Sequence, residues 1–229
     1  MPELRILSGK YKGLKLLSPD LKTTHPMGSR EKLALFNMLS PYLAGATVLD
    51  YFAGSGALGL EALSRGAASV TFVENNQKAR QVIRENCRRC GVEDVRWQVV
   101  RCLPNNKEIS PRRITNTRGP ESRTVAKRNL GEGPTAPWDA EDRRSTECCD
   151  YEGREISRSE DTLRLPPLAL IISDPPYDNY QVPDYAALLA PGGILALSHP
   201  ATFDPTTITD LTLLKTSHYA ACNISLFTK

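Results

Sequence analysis

The run Val48-Leu49-Asp50-Tyr51-Phe52-Ala53-Gly54-Ser55-Gly56-Ala57-Leu58-Gly59 constrains this chain more than any other stretch. Val48 and Leu49 suit the interior of a buried strand that Asp50 closes with a carboxylate, the glycines mark a tight turn, and Ala57 opens a helix. Gly54 and Gly56 lack a Cβ, so the backbone there can turn sharply and lie against a ligand. The helix that follows offers unpaired N–H groups and a partial positive charge. Such a strand–turn–helix belongs to an α/β architecture and points to a small-molecule cofactor.

The remaining pattern extends that architecture. Strands are expected at Ser69 to Glu74, Val95 to Val100, Leu168 to Ser173 and Ile194 to Ser198, each an apolar run. A helix is expected from Ser29, with Ser29 as its N-cap, Leu33, Phe36 and Leu39 or Ser40 inward, and Pro41 as its stop. Others are expected at 57–65 and from Gln77 to Cys90, where Gly91 ends the run, with a short one near 182–190 before a Pro191-Gly192-Gly193 turn. Two last strands, at about 211–216 and 221–228, sit close enough to pair antiparallel. Helices alternating with continuous apolar strands mean a doubly wound, mostly parallel sheet with an antiparallel last strand. Right-handed crossovers then put Asp50, Glu74 and Asp174, at the ends of three strands, along one rim.

With 229 residues the chain can hold one α/β domain and a small appendage. Residues 1–28 read as that appendage, a basic hairpin preceding a main domain at 29–229. Its Arg5, Lys10, Lys12 and Lys15, with Tyr11 between two lysines and Arg30 just beyond, are candidates for contact with an RNA backbone. The net charge of +3 permits such a partner without demanding one. From about 104 to 164 apolar residues are sparse and no period survives, so this insertion is expected to be disordered. Six cysteines raise the question of zinc, but Cys87 and Cys90 fall in a helical pattern and Cys148-Cys149 is poor geometry for a tetrahedral site, so no metal is expected. No apolar run approaches membrane-spanning length, and a cytoplasmic monomer is the default expectation.

Taken literally, Gly54-x-Gly56-x-x-Gly59 is a dinucleotide fingerprint, and Glu74 lies close to the distance expected of a ribose-binding acid. A nicotinamide enzyme is therefore the first rival. Two features speak against it: a pyrophosphate gains nothing from the carboxylate of Asp50, and nothing downstream resembles hydride chemistry. Asp174-Pro175-Pro176-Tyr177 instead suits methylation of an exocyclic amine on a nucleobase. The lone pair of such an amine is delocalised into the ring, which makes the nitrogen planar and poorly nucleophilic. The Asp174 side chain and Pro175 carbonyl can accept its hydrogens, Pro175 and Pro176 stiffen the loop, and Tyr177 offers a face for stacking. The methyl group then moves in line from a sulfonium donor, largely by positioning.

The combination of Arg-Ile-x-x-Gly-x-Tyr-Lys-Gly near the start, Ala-Leu-Phe-Asn at 34–37, the long run at 50–67, Phe-Val-Glu at 72–74 and Asp-Pro-Pro-Tyr at 174–177 resembles the RsmD-like family of bacterial 16S rRNA (guanine-N2)-methyltransferases. That resemblance implies a class I, Rossmann-like methyltransferase domain using S-adenosyl-L-methionine, and ribosomal RNA, free or in an assembling small subunit, as the partner. It implies that Asp50, Gly54 and Gly56, within a cofactor loop of Asp50, Phe52, Ala53, Gly54, Ser55 and Gly56, cradle the methionine part. Glu74, with Asn75 beside it, would bind the ribose, and Asp174 to Tyr177 would hold the guanine. The sequence departs from the family at His25-Pro26, where an Arg-Pro pair is usual, at Leu33, where an acid is expected, and at Arg101-Cys102-Leu103-Pro104, where an acid commonly follows the third strand. An adenine-N6 or glutamine-N5 methyltransferase, or an RNA-binding assembly factor without catalysis, remain the alternatives.

Overall fold

The structure, a computed structural model, describes residues 4–19, 27–92, 96–100, 148–149, 155–156, 168–177 and 182–229. Its strands are β1 (Thr47–Tyr51), β2 (Ser69–Val73), β3 (Arg96–Val100), β4 (Cys148–Cys149), β5 (Glu155–Ile156), β6 (Leu168–Ser173), β7 (Leu189–His199), β8 (Thr212–His218) and β9 (Asn223–Thr228). Its helices are α1 (Ser29–Leu43), α2 (Ala57–Ser64) and α3 (Gln77–Cys90). Seven strands form one sheet in the order β3-β2-β1-β6-β7-β9-β8, parallel except where β9 pairs antiparallel with both β7 and β8. The short β4–β5 pair forms a second, antiparallel sheet. Apart from those two strands, the 104–164 insertion lies outside the described residues, as do His25 and Pro26.

Local chemistry explains most element ends. Asn76 caps α3 by accepting from the Ala79 N–H at 3.1 Å, and Gly91 closes it in the left-handed region at φ +58°. Ser29 is not the N-cap expected of it but the first residue of α1, with Gly28 at the cap position and no side-chain cap bond. Two further expectations need correction. Pro41 does not stop α1, which continues to Leu43, since a proline near a helix end forfeits one backbone bond and Leu43 gains burial by continuing. The inward face of α1 is Lys32, Leu35, Phe36, Leu39 and Leu43, while Leu33 is 45% exposed. The buried cation at position 32, which apolar periodicity passes over, rotates that face by one residue.

The second correction concerns 182–190, which forms one turn and no helix. Asp184 caps it through the Ala187 N–H, and Leu188 and Leu189 bond back to the Tyr185 carbonyl. Leu189 must pair with Leu168 as the first residue of β7, so the run has no length left for a helix. β7 then carries Pro191-Gly192-Gly193 inside it as an irregularity, with the register jumping from Leu168↔Leu189 to Leu170↔Ile194. As a result the sheet faces are covered unequally. The three α-helices α1, α2 and α3 contribute to one core cluster, around Val48, Val70, Phe72 and Ile172. The opposite face, around Leu49, Tyr51, Ile171 and Leu197, is packed by Tyr185, Leu188 and Leu211 from connecting segments.

The N-terminal residues also differ from an appendage. Arg5 bridges Lys15, and Ile6, Tyr11 and Leu16 are buried in the helix-side core. Gly9, at φ +85°, lets the backbone lie on α2, where a Cβ would collide with the Ser64 carbonyl. Ser64 accepts from the Lys10 N–H at 2.8 Å through that carbonyl and from the Tyr11 N–H at 2.9 Å through its hydroxyl. Glu61 accepts from the N–H groups of Leu7 and Ser8 at 2.7 and 3.0 Å. Asn86 pairs with both backbone groups of Leu17 and also donates to the Ser55 carbonyl, joining this segment to the glycine loop.

Candidate active site

Parallel pairing aligns the strand ends. Tyr51 lies opposite Val73 and Ser173, and Ser173 lies opposite Leu197, so the next residues along are Phe52, Glu74, Asp174 and Ser198. Asp50 sits one step further back on β1, beside Phe72 and Ile172. The three acids therefore share one rim, at the carboxyl ends of adjacent strands where open α/β sheets bind ligands.

Asp50 is 1% exposed and faces α2. Its Oδ2 accepts the Gly59 N–H at 2.8 Å, which places a carboxylate on the third residue of the helix, where an anion is electrostatically favoured. This is the position a pyrophosphate needs in a dinucleotide fold, and here it is taken by the protein's own acid. The other oxygen, Oδ1, is buried and has no hydrogen-bond partner among the described residues. Burial pushes the Asp50 carboxyl up to about 7, opposed by the Gly59 N–H and reinforced by the charges of Asp174 and Glu74.

The loop itself is strained. Phe52 has φ +68°, an uncommon conformation for a bulky residue, and Gly54 and Gly56 follow in the left-handed region. A Cβ on Gly54 would meet nothing closer than 4.0 Å, so this glycine faces open space, whereas one on Gly56 would press on Ile83 and Phe72. Gly59 admits no Cβ because Phe72 and Val70 pack against it, and this lets α2 lie close to the sheet. Ala53 and Ser55 are buried beneath the turn, and Ala53 donates to the Val73 carbonyl at 3.0 Å. Glu74 holds the turn in place: its carboxylate accepts from the N–H groups of Gly54 and Asn76, both at 2.8 Å. Each oxygen keeps lone-pair capacity for a further donor. Asn75 is exposed on the same corner, and its carbonyl accepts from Arg80 at 2.7 Å.

At the other end of the rim, Asp174 is partly buried, Pro175 is buried, and Pro176 and Tyr177 are exposed. Burial pushes the Asp174 carboxyl up to about 6, against a hydrogen bond from Ser198 that draws it down. The Tyr177 hydroxyl lies 2.5 Å from the Ser198 hydroxyl, while the residue is 37% exposed. Cys222, in the turn between β8 and β9, reaches both hydroxyls with its buried thiol. Burial raises the Tyr177 phenol and the Cys222 thiol alike, each opposed by its bond to Ser198.

The structure thus brings together Asp50, Phe52, Ala53, Gly54, Ser55, Gly56 and Glu74 on one side and Asp174 to Tyr177 on the other. It does not add Tyr11 to an RNA-facing surface. That residue is 7% exposed and packed into the core, so its expected contact with RNA is corrected. Arg5, Lys10, Lys12, Lys15 and Arg30 are exposed. Ser198 and Cys222 did not emerge from the sequence, although Ser198 ends an expected strand on the same rim.

The residues present fit S-adenosylmethionine. Three clustered carboxylates, one with an orphaned buried oxygen, suit a cationic ligand and repel a pyrophosphate, and the open side of Gly54 leaves room for close approach. Metal-ligating clusters are absent among the described residues, and no described helix is long and apolar enough to cross a membrane.

Comparison with known proteins agrees with this geometry. A protein-family model described as "Conserved hypothetical protein 95" matches residues 4–116. Ribosomal RNA small subunit methyltransferase D of Escherichia coli strain K12 is 45% identical over 84 residues, or 37% of this chain and 42% of that protein. Ribosomal protein L11 methyltransferase of Marinobacter nauticus is 50% identical over 54 residues, 24% of this chain and 18% of that one. The chain matches about two fifths of the length of its ribosomal RNA methyltransferase relative. In structure, the Escherichia coli protein yhhF, a methyltransferase by name, aligns with a TM-score of 0.66 at 22% identity over 99% of this chain and 98% of that one. A hypothetical protein of Thermus thermophilus, TTHA0928, aligns with a TM-score of 0.60 at 22% identity, covering 98% and 99%. These likenesses show a class I methyltransferase fold. One similar sequence is named for RNA and another for a protein, so the acceptor must be argued from the Asp174 end of the rim.

Proposed function

On the premise that the chain is RsmD-like, we propose that it is an S-adenosylmethionine-dependent methyltransferase acting on the exocyclic N2 amine of a guanine in small-subunit ribosomal RNA. The observation that carries this reading is the rim itself, with Asp50 and Glu74 beside an open glycine turn and Asp174 with Tyr177 on the adjacent strand end. When bound, the cofactor supplies an electrophilic methyl group on a sulfonium. Asp50 would hold the ammonium of its methionyl part, and Glu74, with Asn75 alongside, its ribose hydroxyls. Asp174 and the Pro175 carbonyl would accept the hydrogens of the amine, and Tyr177 would stack on a base freed from its own stack. Transfer leaves a proton that the product amine can release to water, so the site needs no separate base.

Asp50 gives this reading a pH signature. A raised carboxyl in the free protein must ionise to hold a cation, so cofactor binding releases a proton below about pH 7. Affinity is expected to rise by about fivefold from pH 6 to 7 and by a further factor of about two before it levels off near pH 8. Calorimetry in buffers of differing ionisation heat reads both effects, and Asp50→Asn should abolish the pH dependence.

Residues 1–28 supply the proposed RNA contact through Arg5, Lys10, Lys12 and Lys15, with Arg30 nearby on α1. Replacing Lys10, Lys12 and Lys15 by glutamine is expected to weaken RNA binding and lower the slope of log affinity against log salt by about two to three. Filter binding at several salt concentrations measures this, and an unchanged slope would make the segment scaffold only. The main domain would act as a cytoplasmic monomer, on free RNA or on an assembling subunit. Mapping N2-methylguanosine in small-subunit RNA with and without the gene tests the assignment: loss of one modified guanine supports it, and an identical map refutes it.

A further inference from the structure

Ser198 is 2% exposed and lies one residue before the end of β7, beside Asp174, yet it belongs to none of the motifs that mark the site. Its hydroxyl meets three groups from two segments: the Asp174 carboxylate after β6, the Tyr177 phenol further along the same loop, and the Cys222 thiol before β9. An ionised carboxylate only accepts, so Ser198 must donate its single proton to Asp174. Its remaining lone pairs are then the acceptor for the Tyr177 hydroxyl. The bonds run in one direction, from the Tyr177 O–H to Ser198 and from the Ser198 O–H to Asp174.

Resting on the functional reading above, we infer that Ser198 is a positioning residue that ties the Tyr177 ring to the Asp174 carboxylate, so that the face on which a base stacks and the acceptor of its amine hold one relative orientation. Tyr177 is 37% exposed on its loop, and its phenol end bonds to Ser198 on the rim. The chain of bonds has this polarity only while Asp174 is ionised. Protonation of Asp174 removes the demand for the Ser198 proton and lets the two hydroxyls reorient. The groups facing Asp174 are Asp50 on β1, the Tyr177 phenol, and the Cys222 thiol, which in turn faces Glu31 of α1; Glu74 faces Asp50 from β2. All the carboxylates among them oppose ionisation, and the Ser198 hydroxyl favours it.

The test compares Ser198→Ala, Ser198→Thr and Tyr177→Phe with the wild type by two readouts. The first is the titration midpoint of the Asp174 carboxyl carbon, followed by NMR in the ligand-free protein. The second is methyl transfer to small-subunit RNA with a separate measurement of cofactor affinity. Ser198→Ala should move the Asp174 midpoint upward and lower kcat tenfold or more, with cofactor affinity within about twofold. Ser198→Thr retains the hydroxyl and should restore both. Tyr177→Phe, at an exposed position, should lower kcat severalfold and leave the Asp174 midpoint in place, because Ser198 still donates. An unmoved midpoint in Ser198→Ala, a threonine variant as impaired as the alanine variant, or a fully active Tyr177→Phe would each overturn the inference. If the wild type itself transfers no methyl group to RNA, the functional reading fails, while the carboxyl titration still decides whether Ser198 ties Asp174.

Discussion

Asp174→Ala is expected to abolish methyl transfer, by at least on the order of 10²-fold in kcat, while cofactor affinity stays within about threefold. Asp174 lies across β1 from Glu74, and it is Glu74 that holds the Gly54 N–H of the glycine turn, so the cofactor side survives the loss of Asp174. The amine side does not, since the Pro175 carbonyl alone is left to accept its hydrogens. The sign of the stability effect makes this a clean test. A carboxyl raised to about 6 when folded, from an ordinary value near 3.8, lets the folded state bind more protons than the unfolded state between those values. Stability is therefore lost as pH rises through that window, and the ionised form is a burden at neutral pH. Alanine removes the burden and also relieves Asp50 of a neighbouring charge. The variant should melt no lower than the wild type, so lost activity cannot be ascribed to unfolding. A variant with wild-type kcat would remove Asp174 from the chemistry.

Glu61→Ala is expected to be the most damaging single change to the fold, costing about 3–5 kcal/mol by urea denaturation. Glu61 is fully buried at the centre of a network that joins the N-terminal segment, α1 and α2. It pairs with Arg65 at 2.8 Å and lies 3.5 Å from Lys32, and its two oxygens also take the N–H groups of Leu7 and Ser8. Lys32 in turn donates to the Arg5 carbonyl at 2.7 Å. Burial pulls the Lys32 ammonium down and the Glu61 carboxylate holds it up, so removing the anion leaves a buried cation facing the like charge of Arg65. Arg65 stacks on Phe36 with its Nη2 already unpartnered, and it would lose its one ion pair among the described residues. Loss of protection from hydrogen exchange at residues 6–16 should accompany the lower midpoint, because the same carboxylate holds that segment down. A cost below about 1 kcal/mol would mean that the network contributes little.

The rim was legible because it depends on local, periodic signals. A strand of apolar residues, a glycine turn and a helix fix where Asp50 must lie, and right-handed crossovers carry Glu74 and Asp174 to the same edge. Asp-Pro-Pro-Tyr added the chemistry from one tetrapeptide. What escaped were interactions between residues far apart in sequence. Tyr11 looks like an RNA-contacting aromatic among lysines, yet Gly9 turns the backbone onto Ser64, 55 positions later, and carries the ring inward. Lys32 reads as the polar face of α1 until Glu61 is seen to be buried opposite it. Ser198 meets Tyr177 across 21 positions and Asp174 across a strand pair, and no local pattern marks a serine at a strand end as different from any other. The 182–190 run carries helical spacing, but the need to pair Leu189 with Leu168 outweighs it, as tertiary context does for short segments.

The measurement that bears most directly on the account is mass spectrometry of nucleosides and peptides after the purified protein is incubated with S-adenosylmethionine carrying a deuterated methyl group, small-subunit RNA and ribosomal proteins. The account predicts that the label appears in N2-methylguanosine alone, and disappears with Asp174→Ala. Label in N6-methyladenosine or in methylglutamine, or none in any product while the cofactor still binds, would contradict it.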